Sequence, residues 1–327
     1  MKEQIRQLCR DKHAIILAHY YTRPEIQEVA DFIGDSLALA RKAAETDARI
    51  IVMCGVHFMA ETCKLLSPEK LVLCPDPEAG CSLADSCPAE ELRKFKEEHP
   101  GYQVVSYVNT TAAVKALTDV VVTSGNALKV VSSFPKDAKI IFGPDYNLGS
   151  YINAVTGRKM LLWQGGCHVH ERFSVEKIVE LKQQYPDAVV MAHLECKAPV
   201  LALADIKGST ADMLKHAKQN PATQFIVATE AGILFELQRQ CPDKQFIPVP
   251  PEIPSETAVA AEPANAASTV PVGSNIGCTG CNECQYMKLN TLEKILACLQ
   301  NEAPVVEVDP AIAEAAVRPI QRMLELS

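Results

Sequence analysis

The sequence predicts an α/β fold: three repeated three-layer αβα units, each built on a parallel four-stranded sheet, set around a pseudo-threefold axis. Three observations predict it. Short apolar runs of strand length alternate with helical stretches along the chain, as in parallel sheets joined by crossover helices. The pattern returns every 86 to 88 residues. Within each period, polar residues recur at strand ends and helix starts, which one large doubly wound sheet would not explain.

In the first unit, residues 13–20 read His-Ala-Ile-Ile-Leu-Ala-His-Tyr. Such an apolar run closing on polar residues is a buried parallel strand seen from its carboxyl end. Pro24 opens a short helix. Asp31 to Ser36 form a second strand and turn, and Ser36 can cap the helix Leu37–Glu45. Arg49–Cys54 is the third strand, Phe58–Leu66 a helix, and Leu71–Cys74 the fourth strand. A loop carrying Cys81 closes the unit.

The second unit repeats this. A strand over Gln103–Val108 ends at Tyr107 and Asn109, a helix spans Ala112–Leu117, and Asp119 to Ser124 match the earlier strand and turn. A helix runs on from Asn126. Strands at Lys139–Phe142 and Met160–Trp163 lead to a loop with Cys167. The third unit starts with the strand Ala188–Glu195. Asp205 to Thr210 open its next helix, and Phe225–Ala228 and Phe246–Val249 are strands. His19, Tyr107 and His193 stand 88 and 86 residues apart, as do Asp31, Asp119 and Asp205. Cys81 and Cys167 are 86 apart. The units are therefore expected at 1–84, 85–170 and 171–284. The third falls out of step after Pro250, where a Pro/Ala-rich insertion covers 250–276. A stretch of this length without structure is usually functional or mobile. Cys284 follows it as the displaced counterpart of Cys81 and Cys167. Residues 285–327 hold two helices, one over Thr291–Gln300 and one starting at Asp309-Pro310, an N-cap followed by Pro at the first helical position.

Composition narrows the function. The 327 residues carry a net charge of −8, with no basic stripe to displace counterions, which disfavours nucleic acid as a partner, and none is expected. The first residues lack the apolar core of a signal peptide, and no run reaches the roughly 18 apolar residues of a membrane span. A cytoplasmic protein is expected. Its 13 cysteines, odd in number and set mostly in apolar segments, argue for metal or redox use over a secreted disulfide framework.

Ligands of open α/β units collect beyond the carboxyl ends of the strands. Three such ends facing one axis would enclose a polar chamber, supplied by His19 and Tyr21, by Tyr107 and Asn109, and by His193 and Glu195. Helix starts add Ser36, Ser124, Ser209 and Thr210. Free N–H groups at a helix start bind carboxylate or phosphate, although Ser and Thr there also serve as plain caps. One cysteine per unit would put three thiolates on the axis. Three on a four-iron cluster leave one iron open as a Lewis acid, with three-cysteine zinc as the runner-up. Cys87, Cys196, Cys278 and Cys281 compete as ligands. Cys278, Cys281 and Cys284 are spaced three residues apart, close enough to form a redox disulfide once Cys284 is free.

The chain resembles the quinolinate synthase family over essentially its whole length. The resemblance rests on Ala18-His-Tyr-Tyr21, Gly34-Asp-Ser36, Ala79-Gly-Cys81-Ser-Leu-Ala-Asp85, Ser106-Tyr-Val-Asn-Thr110, Gly166-Cys-His-Val-His170, His193-Leu-Glu-Cys196, Gly208-Ser-Thr210, Thr229-Glu-Ala-Gly232 and Cys284-Gln-Tyr-Met287. The family usually has Pro where Leu194 and Gln285 stand. The resemblance implies condensation of iminoaspartate with dihydroxyacetone phosphate to quinolinate for NAD biosynthesis. It implies a [4Fe–4S] cluster on Cys81, Cys167 and Cys284. It also implies substrate contacts at His19, Ser36, Tyr107, Asn109, Ser124, His193, Glu195 and Thr210, and Val108, Leu194 and Ser209 beside them are expected at the substrate as well. By chemistry, Glu195 and His193 would move protons and Tyr21 and Tyr107 would donate to developing oxyanions. An L-aspartate oxidase or dehydrogenase would supply the imine. A cluster-dependent hydro-lyase and a non-catalytic iron–sulfur redox sensor are the alternatives.

Overall fold

The structure, a computed structural model, describes residues 1–251 and 282–327. Each sequence period closes into one wholly parallel four-stranded sheet. The first holds β1 (Ala14–His19), β2 (Phe32–Gly34), β3 (Ile50–Cys54) and β4 (Leu71–Leu73) in the order β2-β1-β3-β4. The second holds β5 (Gln103–Tyr107), β6 (Val120–Val122), β7 (Ile140–Gly143) and β8 (Leu161–Leu162) in the order β6-β5-β7-β8. The third holds β9 (Val189–His193), β10 (Ile206–Gly208), β11 (Gln224–Ala228) and β12 (Gln245–Pro248) in the order β10-β9-β11-β12. In each sheet the chain reverses its direction of winding at the lead strand, so the carboxyl ends of β1, β5 and β9 lie at topological switch points.

The recurring aspartate has a structural cause. Each second strand has only three residues and needs help to hold register. Oδ2 of Asp31, Asp119 and Asp205 accepts the N–H of Ile16, Val104 and Val190 at 2.7, 2.7 and 2.8 Å. Each aspartate's own N–H donates to the carbonyl of the same partner, at 3.0, 2.9 and 3.0 Å. The second strand is thereby pinned to the lead strand in every unit.

The core sits on both faces of these sheets. Leu17 and Met53 of the first sheet share one apolar cluster with Val105 and Phe142 of the second and with Ile320 and Met323 of the last helix, Pro310–Leu326. That helix packs on β6 and on the helices His57–Leu66 and Ala112–Lys115, joining the first two units. The third sheet has its own clusters, around Val190 and Ile226 on one face and around Met213 and Phe225 on the other.

Two readings change. Ser36 is the first residue of the helix Ser36–Glu45, whose N-cap is Asp35. The Asp35 carboxylate accepts the Ala38 N–H at 2.9 Å. Helices at Lys2–Lys12, Ala89–Glu98, Tyr146–Thr156 and Val175–Gln184 were not predicted from the pattern. Ala89–Glu98 buries only Leu92, which leaves almost no apolar period to detect. The insertion from residue 252 onward, with Cys278 and Cys281 and hence the possible redox disulfide, lies outside the described residues. Among the described residues no helix is long and apolar enough to cross a membrane.

Candidate active site

The carboxyl ends of β1, β5 and β9 line one chamber of about 690 Å3, mouth included. Three register-matched sets form its polar wall. His19, Tyr107 and His193 are the last residues of the lead strands. Tyr21, Asn109 and Glu195 stand two residues further on. Ser36, Ser124 and Thr210 lie at or just before helix starts. Thr210 is the first residue of the helix Thr210–Gln219, capped by Ser209 in a reciprocal capping box with Asp212. Three expected contacts do not line the chamber. Ser209 spends its hydroxyl on that cap, and the Val108 and Leu194 side chains lie in the apolar core.

The local chain path fixes two histidine tautomers. Nδ1 of His19 accepts the Tyr21 N–H at 3.2 Å, and Nδ1 of His193 accepts the Glu195 N–H at 3.3 Å. Each ring therefore carries its proton on Nε2. Burial pulls His19 down to about 3, with His193 adding to it, and pulls His193 down to about 4 against the opposing pull of Glu195. Both are neutral hydrogen-bond donors at neutral pH.

Glu195 stands amid a cluster of polar side chains. Tyr107 donates its hydroxyl to Glu195 Oε1 at 2.5 Å. His170 Nδ1 stands 3.1 Å from Oε2, and its Nε2 is 2.9 Å from Thr229 Oγ1, which is 2.7 Å from the Tyr21 hydroxyl. His170 also stacks on His193 at 4.7 Å between ring centres. Burial alone would raise Glu195. The charge that His170 and His193 would carry when protonated, with the hydrogen bond from Tyr107, outweighs it and holds the carboxyl well below the usual range. Burial, with the Glu195 charge adding to it, pushes Tyr21 and Tyr107 well up, so both remain phenols.

Cys81, Cys167 and Cys284, one from each unit, reach the same chamber and are partly exposed at its wall. Burial pushes Cys81 up to about 12 and Cys284 to about 11, and lifts Cys167 well above the ordinary thiol value. The neighbouring sulfurs raise Cys81 and Cys167 further. Three thiols whose anions repel one another, with no Lys or Arg among the described residues that line the chamber, are a donor set that fits a metal centre. The thiol of Cys167, an imidazole nitrogen of His170 and a carboxylate oxygen of Glu195 all lie within 4.8 Å of one another. The competing Cys87 and Cys196 are buried in apolar clusters away from the chamber.

His170 and Glu230 were missed as site residues. His170 follows Cys167 by three positions in the same loop, a spacing that marks a ligand or a neighbour of one. Glu230, fully buried, accepts the Cys284 N–H at 2.9 Å and pairs with Lys288 at 2.9 Å. Lys288 in turn donates to the Tyr21 carbonyl at 2.8 Å, tying the third unit to the first. The close approach requires Gly232, where a Cβ would lie 2.8 Å from Glu230 Oε2 and from the Tyr21 Cα.

The depressed histidines imply acid lability. As pH falls through about 6.5 the unfolded chain takes up protons that folded His19 and His193 refuse. Stability is lost from there down to about 4 for His193 and about 3 for His19. Urea midpoints are expected to drop steeply between pH 7 and pH 4.5, and less steeply in His193→Gln. Parallel profiles would refute a buried neutral His193.

A family model described as quinolinate synthetase A protein matches residues 3–325. The quinolinate synthase of Prochlorococcus marinus (strain MIT 9303) is 50% identical over 325 residues, covering 99% of this chain and 90% of that protein. That of Nostoc sp. (strain PCC 7120) is 50% identical over 323 residues, covering 99% and 92%. That of Chloroherpeton thalassium is 49% identical over 325 residues, covering 99% and 94%. With half of all positions shared along almost the full length, and with the chamber built from the residues described above, the chain belongs to the quinolinate synthetase A family.

Proposed function

We propose that the chamber condenses iminoaspartate with dihydroxyacetone phosphate to quinolinate, with loss of phosphate and water, in NAD biosynthesis. The observation that carries this is the convergence of nine register-matched polar residues and three thiols on one chamber in a chain of this family. The repeated sheet order and the three matched lead-strand ends support an arrangement around a pseudo-threefold axis, with units at 1–84, 85–170 and 171–284 and terminal helices at 285–327.

Cys81, Cys167 and Cys284 would hold a [4Fe–4S] cluster, which, when bound, supplies one open iron as a Lewis acid. The chain's own residues do the rest. Carboxylate and phosphate groups find no lining Lys or Arg, so they are held by hydroxyls and by N–H groups at helix starts such as Ser36 and Thr210. The Nε2–H groups of His19 and His193 and the amide of Asn109 orient the bound oxygens. Glu195, ionised and fixed by Tyr107, takes the protons that enolisation and dehydration release. His170, Thr229 and Tyr21 continue from it as a chain along which a proton can move. The imine would come from an L-aspartate oxidase or dehydrogenase acting in the same cytoplasm.

Anaerobic enzyme with reconstituted cluster is expected to release one phosphate per dihydroxyacetone phosphate consumed and to form quinolinate. Dehydration of a hydroxy acid without phosphate release would favour the hydro-lyase instead. Absence of any turnover from a fully loaded cluster would favour the redox sensor.

A further inference from the structure

Lys115 and Gln27 occupy matched places 88 residues apart, behind the chamber wall. Neither lines it, and both are buried, at 0% and 1% exposure. Lys115 Nζ donates to the carbonyl of Val108 at 2.9 Å and to the carbonyl of Thr110. Those two carbonyls flank Asn109. Gln27 Nε2 donates to the carbonyls of Tyr20 at 2.9 Å and Thr22 at 3.0 Å, and also lies 3.1 Å from the carbonyl of Gly232. The first two flank Tyr21. In both units, one buried long-chain donor grips the backbone on either side of the residue that stands two positions beyond the lead strand.

Neither group is a comfortable core residue. Among the described residues no carboxylate pairs with Lys115. Its ammonium lies 5.4 Å from the ring centre of Phe58, which lines the chamber. Glu61, the acidic neighbour, spends Oε2 on the Ala112 N–H at 3.0 Å. Burial pulls Lys115 down to about 8, so it still carries its proton at neutral pH. Gln27 Oε1 is buried with no hydrogen-bond partner among the described residues. An aliphatic side chain would avoid both desolvation costs. What an aliphatic side chain could not do is hold two carbonyls. In the third unit the matched position is Leu201, and Glu195 is held differently, with its own carbonyl accepting Asn147 Nδ2 at 3.1 Å.

We infer that Lys115 and Gln27 are positioning residues that aim Asn109 and Tyr21 into the chamber, each acting through the residue whose flanking carbonyls it grips. The inference rests on the assignment of Asn109 and Tyr21 to the substrate site. The test is a pair of double-mutant cycles on anaerobic holoenzyme, with rates normalised to iron content and with thermal midpoints recorded. Lys115→Met is expected to lower kcat/KM about tenfold, as misplacement of a substrate-orienting group does. The same change made in Asn109→Ala is expected to add less than about twofold. Gln27→Leu should likewise be non-additive with Tyr21→Phe. Lys115→Met and Tyr21→Phe, which belong to different units, should multiply.

If Lys115→Met is insoluble, Lys115→Leu replaces it, and Lys115→Gln, whose amide fills the matched place in the first unit, is expected to keep most of the rate. A wild-type rate in Lys115→Met, or losses that multiply with Asn109→Ala, overturns the inference. A wild-type rate in Asn109→Ala overturns instead the assignment of Asn109 to the site.

Discussion

Glu195→Gln is expected to lower kcat by about 10²–10⁴, the usual worth of a positioned general base, while KM and iron content stay near wild type. The amide copies the shape of the carboxylate and can still accept the Tyr107 hydroxyl that now lies 2.5 Å from Oε1. What it loses is the charge and the capacity to take a proton. Glu195 would suit the role of base because its surroundings keep it ionised. The Tyr107 phenol donates to the anion and His170 Nδ1 stands 3.1 Å from its other oxygen, although the group is almost wholly buried. The same surroundings also make it a weak base, so its proton must pass on. In the proposed mechanism the route would lead by way of His170 and Thr229 to Tyr21. Stopped-flow binding of substrate analogue with steady-state rates separates the two effects. A near-normal kcat, or a loss confined to KM, removes Glu195 from proton transfer.

The period was the legible part of the fold, and the structure explains why. Strands buried on both faces read as continuous apolar runs, so β1, β5 and β9 stand out. The aspartate that pins each second strand does the same job in all three units, so it keeps step. The polar residues at the lead-strand ends were found because the repeat itself pointed at them. Other site residues lie off that pattern. Glu230 stands two residues past the end of β11, the third strand of its sheet, where a search along lead strands does not look. His170 sits in a loop beside Cys167. Leu194 shares a segment with two chamber residues, but its apolar side chain turns into the core. Ser36 reads as a cap because serine so often is one. Only the structure shows that its neighbour Asp35 accepts the N–H instead. Gln27 and Lys115 kept register as well, yet an amide and an ammonium do not look alike in a sequence.

Serine in place of Cys81, Cys167 or Cys284 is expected to remove the cluster altogether, with iron, sulfide and visible absorbance all falling to background and turnover with them. Each thiol comes from a different unit, so none has an obvious substitute within its own loop among the described residues. The eight other described cysteines are buried. Cys196, adjacent to Glu195 in sequence, directs its sulfur to the Ala228 carbonyl at 3.4 Å, away into the third sheet's core. Cys87 packs with Leu92 and Val104. Cys196→Ser and Cys87→Ser are therefore expected to keep a full cluster, with at most a modest loss of stability from the altered core. The backbone around Cys284 is held independently of any metal, because Glu230 takes its N–H and Lys288 steadies Glu230. The serine variants should accordingly fold, and circular dichroism of the metal-free proteins should match wild type. That separates loss of a ligand from loss of the chamber. A cluster that survives Cys284→Ser, or one that vanishes in Cys196→Ser, would reassign the ligands. Zinc recovered in place of iron and sulfide from anaerobically purified protein would reassign the metal.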